Sequence, residues 1–131
     1  GPREPLKGPY APVIGIFMRQ RKAGEDMTIV GDGDQRRDFT YVGDIVDANI
    51  KVAFNDLILK GEPFNIGNGD NRSVNQIATM MGGRRMHVEP VIEPKETLAD
   101  NSKAREFLGW KPTNKIEDWI VKYKEEIGLW K

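Results

Sequence analysis

The sequence predicts one domain of mixed α and β structure, residues 1–131. Three observations carry this expectation. Segments with helical apolar spacing interleave with short β-type runs. Glycine or a capping signal punctuates almost every segment. At 131 residues the chain is also long enough for a core that needs no disulfide.

The elements follow in order. Pro2, Pro5, Gly8 and Pro9 break any regular element up to Tyr10, so an extended segment is expected there. Pro12 suits a first helical turn, and Val13, Ile14, Ile16 and Phe17 supply an apolar face. Arg19, Arg21 and Lys22 favour the C-terminal end of this helix, and Gly24 caps it, which gives a helix over 12–23. Met27 to Val30 reads as a strand running into the turn Gly31-Asp32-Gly33, and Phe39 to Val42 as the strand leaving it. Asp44 is expected to cap a helix from Ile45 to Lys60, with Val46, Ile50, Ala53 and Leu57 on one face and Gly61 after it.

A strand is expected at Pro63 to Gly67. Ser73 and Gln76 have capping-box spacing for a helix bearing Val74, Ile77, Ala78 and Met81, stopped by Gly82-Gly83. Met86 to Ile92 reads as a strand that Pro90 confines to a sheet edge. Asp100 or Asn101 caps a short helix ending at Leu108-Gly109, and Asn114 with Glu117 makes a second capping box for a last helix. Strands so few and short cover their helices poorly, so part of the surface is expected to be an interface.

Composition removes several function classes. Twenty basic and twenty acidic side chains cancel, which leaves no bulk field to recruit nucleic acid or an anionic membrane, and any anion binding must be local. No cysteine is present, so thiolate metal sites and a cysteine nucleophile are excluded, and the usage fits a reducing cytoplasm. The apolar runs are too short for a membrane span. The chain opens Gly1-Pro2-Arg3 without methionine, which reads as a cut chain or a fragment.

No nucleophile-base pair stands at a readable spacing, and Gly31-Asp32-Gly33 is not a dinucleotide fingerprint, because a strand and not a helix is expected after it. For His87, the only histidine, a packed or solvated imidazole is favoured over a catalytic base. Asp32, Asp34, Asp38, Asp44 and Asp47 lack calcium-loop spacing, and turn and capping roles account for most of them, so no metal is assigned. Arg37 has two readings: a planar fork for a phosphate or carboxylate, or a surface arginine paired with a nearby acid. Strand alternation puts Arg36 on the other face, where solvation is expected. Trp110, Trp119 and Trp130 are expected in a core or interface.

Several stretches go beyond pattern: Gly1-Pro2-Arg3, Pro9 to Ile14, Thr28 to Val42 with its Gly-Asp-Gly and Arg-Asp-Phe, Phe64-Asn65-Ile66-Gly67, Ser73-Val74, Ala99 to Ala104 and Leu108 to Pro112. In this order, over nearly the whole chain, they resemble the C-terminal half of nucleotide-sugar epimerases and dehydratases, the extended short-chain dehydrogenases/reductases. The resemblance implies an α/β, mixed α+β substrate-binding domain lacking the Rossmann half, where the family keeps its NAD site and catalytic Tyr-x-x-x-Lys pair. It implies no catalytic residue, no NAD bound by this chain, and no activity of the chain alone.

Carried over position by position, Arg37 would contact the substrate diphosphate. Thr28 and Val30 would line the base pocket, Val74 would sit in the loop closing over the nucleotide, and Val13 would start the helix covering it. Counting back from Asp100 places Glu93 on the family's glutamate and Pro90 where the family has a second arginine. Lys95 is the nearest substituting cation. The implied partners are a UDP-sugar, of UDP-glucose or UDP-N-acetylglucosamine 4-epimerase type, and the missing Rossmann half. An exposed helix face further implies self-association. A non-enzymatic truncated module, or the matching half of a dehydratase or decarboxylase, are the alternatives.

Overall fold

A computed structural model describes residues 1–8, 10–56 and 60–129. Its elements are α1 (Val13–Ala23), β1 (Met27–Val30), β2 (Arg36–Asp38), α2 (Val42–Ala53), β3 (Asn71–Ser73), α3 (Val74–Met81), β4 (Arg85–Val88), α4 (Ser102–Leu108) and α5 (Ile116–Glu126). The described strands form two separate pairs. β1 runs parallel to β4, with Met27 opposite Arg85 and Val30 opposite Val88. β2 runs antiparallel to β3, with Arg36 opposite Ser73 and Asp38 opposite Asn71.

The main core lies where α1, α3 and α5 meet β1. Phe17 and Met18 of α1, Met27 and Ile29 of β1, Ile77 and Met81 of α3, and Trp119 and Ile120 of α5 are buried together. α1 keeps its expected place because Pro12 opens it with extended backbone and Gly24 closes it at φ 73°, where a side chain would be strained. α3 begins on the expected capping box: Ser73 Oγ accepts from the Gln76 backbone N–H, and Gln76 Oε1 accepts from the Ser73 N–H. A second, smaller core gathers Ala48, Ala104, Leu108 and Trp110, with Phe64 and Ile66 packed on it.

Several expectations change. The strand after the glycine turn is Arg36–Asp38 and not Phe39 to Val42, because Asn71–Ser73 offers the ladder there, while Phe39 and Tyr41 pack against the main core. α2 starts at Val42 and ends at Ala53, short of Lys60. Asp44 is not its cap. Its carboxylate instead accepts from the backbone N–H groups of Thr113 and Asn114 at 3.2 Å each, and from Thr113 Oγ1 and Asn114 Nδ2 at 2.9 Å each. Asn114 is thereby removed from the expected second capping box, and Glu117 pairs with Arg72. Finally, residues Pro63 to Gly67 form no strand; Gly67 O accepts from Asn101 Nδ2 at 2.8 Å.

The expected apolar face of α2 does exist but lies open. Val46 and Ile50 are about half exposed, and Phe54 just beyond the helix is 85% exposed. Trp110 is fully buried and donates its indole N–H to Asp44 O at 2.9 Å, and Trp119 packs between Tyr41 and Tyr123. Leu57 and Trp130 lie outside the described residues.

Candidate functional site

The glycine turn and the chain beyond β4 face one another across a cleft of about 350 Å³. Val30 to Gln35 make one wall, and Pro90, Val91, Glu93 and Lys95 the other. The turn is rigid for local reasons. Gly31 and Gly33 sit at φ 60° and 78°, and Asp32 Oδ1 accepts from the Asp34 N–H at 2.9 Å. A side chain at Gly33 would also run into Asn75 Oδ1 at 2.5 Å. Asn75 braces the turn from α3, its Nδ2 donating to Asp32 O at 2.9 Å and to Asp34 Oδ1 at 3.0 Å. His87 holds the other side, with Nδ1 2.7 Å from Gly31 O, and so acts as a brace.

Arg37 stands beside this cleft on β2. Its Nη1 donates to Arg36 O at 2.7 Å, and its Nη2 pairs with Glu93 Oε2. Gln35 Nε2 donates to the other Glu93 oxygen at 3.1 Å and to Val30 O at 3.0 Å, which ties both walls together. Directly opposite Arg37 in the ladder stands Arg72, an arrangement that would repel if both charges were bare. Arg72 is neutralised by Asp70 and Glu117, each at 2.7 Å. The hydrogen bond from Arg72 holds the Asp70 carboxyl below its usual range. Arg37 therefore has Glu93 as its acid.

Arg36 is not solvated as expected. It is half-buried, and its guanidinium donates to Asn71 Oδ1 at 2.7 Å and Asn71 O at 3.0 Å, fastening β2 to β3. Of the residues singled out from sequence, Val30 and Lys95 line the cleft and Arg37 reaches it through Glu93. The Lys95 ammonium pairs with no carboxylate among the described residues. Thr28 lies on the outward face of β1, with its hydroxyl accepting from Gln20 Nε2 at 2.9 Å. Val13, the first residue of α1, and Val74, the first of α3, pack on the main core, and Val74 is 6% exposed. In this chain the cleft does not include those two. Asn75 and Gln35 were missed because an amide side chain at a turn or helix start carries no distinctive spacing.

Among the described residues no three His, Asp or Glu groups are placed to hold an ion. β1 delivers its glycine turn to another strand, β2, so this turn differs from a dinucleotide fingerprint, in which a helix follows.

Fold and cleft together define part of a short-chain dehydrogenase/reductase type α/β protein. The chain belongs to the NAD dependent epimerase/dehydratase family, whose model matches residues 1–67. A UDP-glucose 4-epimerase of Mycolicibacterium smegmatis is 32% identical over 95% of this chain, which spans 41% of that protein. A UDP-N-acetyl-alpha-D-glucosaminuronate decarboxylase of Bacillus cytotoxicus is 46% identical over 60% of the chain and 23% of its own length. Among solved structures, the UDP-glucose 4-epimerase of Thermotoga maritima with UDP-glucose superposes with a TM-score of 0.84 at 32% identity, over 96% of this chain and 43% of that one. The chain thus spans well under half the length of these relatives. No helix among the described residues is long and apolar enough to cross a membrane.

Proposed function

We propose that this chain holds the nucleoside diphosphate of a UDP-hexose, as the substrate-binding part of an NAD-dependent nucleotide-sugar 4-epimerase. The observation that carries the reading is Arg37. Its planar guanidinium is fixed on a short ladder at the edge of a rigid cleft, with Lys95 on the facing wall. A fork held in this way can give two parallel donors to a phosphate with little ordering cost. Glu93, which pairs with Arg37 in the free chain, must share or release the guanidinium when the anion arrives. Val30 would meet the base, with Thr28 beside it on the outward face of the same strand, and Val13 and Val74 would act from behind by packing α1 and α3.

The catalytic contribution of such a part is positional: it would grip the diphosphate while a sugar reacts elsewhere. NAD, when bound by the whole enzyme, supplies the hydride chemistry; no residue of this chain is assigned to that step, and the chain alone is expected to be inactive. The decarboxylase likeness supports a second reading, that the same grip serves decarboxylation or dehydration, since a hold on UDP is indifferent to the reaction at the sugar.

The open face of α2, with Val46, Ile50 and Phe54, would be covered by the remaining half, and the isolated chain would self-associate through it. Titration of the 131-residue chain with UDP tests the nucleotide reading. Saturable binding supports it, and no heat or shift up to millimolar UDP refutes it. Epimerisation of UDP-glucose by purified chain would refute the assignment of catalysis to the other half.

A further inference from the structure

The carboxylate of Asp38, next to Arg37, is unusually committed. Oδ1 accepts from the Asn68 N–H at 2.8 Å and from Thr40 Oγ1 at 3.2 Å. Oδ2 accepts from the Gly69 N–H at 2.9 Å and the Ala99 N–H at 3.1 Å. Three backbone N–H groups from two segments distant in sequence, 68–69 and 99, thus hang on one side chain at the end of β2.

One of these segments carries the second wall of the cleft. From Lys95 to Ala99 the chain runs beside β2: Arg36 N donates to Lys95 O at 2.8 Å, Thr97 N to Arg36 O at 3.0 Å, and Asp38 N to Thr97 Oγ1 at 3.2 Å. Asp38 Oδ2 is the last fastening of this run. A segment pinned at its far end by a charge-assisted bond cannot slide, so Glu93 two residues before Lys95 is held against Arg37. The Gly67–Gly69 loop presses on the same point. A Cβ at Gly67 would collide with the Ala99 side chain and would meet Asp38 Oδ2 at 3.0 Å.

We infer that Asp38 is a positioning residue for the anion grip. It touches no ligand itself and works by locking the 93–99 segment to β2, so that Arg37, Glu93 and Lys95 keep one geometry. This rests on the nucleotide reading above.

The test is a double-mutant cycle on UDP affinity, measured calorimetrically on the 131-residue chain. Asp38→Asn keeps the size but loses half of the accepting capacity, and should weaken UDP about tenfold while leaving the melting transition cooperative. In the Arg37→Ala background the same change should cost less than twofold, because the grip that it positions is gone. Full additivity of the two losses, as a general weakening of the fold would give, overturns the inference. Should Asp38→Asn fail to fold, Asp38→Ser enters the same cycle.

A second arm needs no nucleotide. Amide hydrogen exchange at Asn68, Gly69 and Ala99 should quicken at least tenfold in Asp38→Asn, and unchanged exchange overturns the inference. If the unmodified chain binds no UDP, the nucleotide reading fails, and exchange alone decides whether Asp38 locks the segment.

Discussion

Replacing Arg37 by alanine removes the guanidinium from the cleft edge and leaves the Glu93 carboxylate without its cationic partner, held by the Gln35 amide. Two effects then act against an arriving diphosphate. The first is loss of charge-assisted donors, about 1.5–3 kcal/mol. The second is repulsion from the freed carboxylate, which at about 6 Å and an effective dielectric of 20 amounts to roughly 2–3 kcal/mol. Glu93 is a third exposed, so solvent screening reduces that to about 1 kcal/mol or less.

Against both stands the fact that Arg37 in the free chain is already bonded to Glu93 and Arg36 O, so part of the phosphate interaction is an exchange of partners. The net expectation is about 2 kcal/mol, a roughly 30-fold loss of UDP affinity. Uridine, which lacks the phosphates, should bind both forms alike. Arg37→Lys, which keeps the charge without the fork, should lie between. Calorimetric titration with UDP and with uridine at two salt concentrations is the assay, and the difference between the forms should shrink at high salt. Equal losses for UDP and uridine, or an unchanged UDP affinity, would refute the reasoning.

Asp44→Ala should cost about 1–3 kcal/mol in denaturant unfolding, because the buried Asp44 carboxylate gathers four hydrogen bonds from the exposed Thr113 and Asn114, and all four are lost. Burial pushes the Asp44 carboxyl up, but hydrogen bonds from Asn114 and Thr113 outweigh it and hold it below its ordinary value. Its contribution is therefore complete above the ordinary carboxylate range and lost as pH falls through the lowered native value. The stability gap between the native chain and Asp44→Asn should accordingly close in acid, and a gap independent of pH would remove this account. Ser73→Ala takes away the α3 cap and should cost about 1 kcal/mol, with UDP affinity little changed. Ile50→Glu places a charge on the open face of α2 and should shift sedimentation towards monomer without lowering the melting temperature appreciably. Persistence of the oligomer would locate self-association elsewhere.

Elements built on local signals are legible in the amino-acid sequence. α1 between Pro12 and Gly24, α3 on its Ser73–Gln76 box and α4 stopped at Gly109 depend on contacts a few residues apart, and the sequence carries those contacts openly. β1 is legible too, as a short apolar run that alternates buried and half-buried residues in the fold. β2 is not. Arg-Arg-Asp has no apolar pattern, and it is a strand only because an equally polar Asn-Arg-Ser, 35 residues away, completes its ladder. Asp44 and Asn114 each have the look of a helix cap; they instead satisfy one another across the second core, a pairing 70 residues apart.

For the site, the residues alone marked the glycine turn, because a left-handed backbone is a property of single residues, and left Arg37 between two readings; the diphosphate role came from the family resemblance. Only the tertiary structure decided which acid Arg37 meets, that Arg36 is spent on Asn71, and that Val13 and Val74 pack on the main core. Those outcomes rest on non-local contacts such as that between residues 37 and 93, which no local spacing encodes.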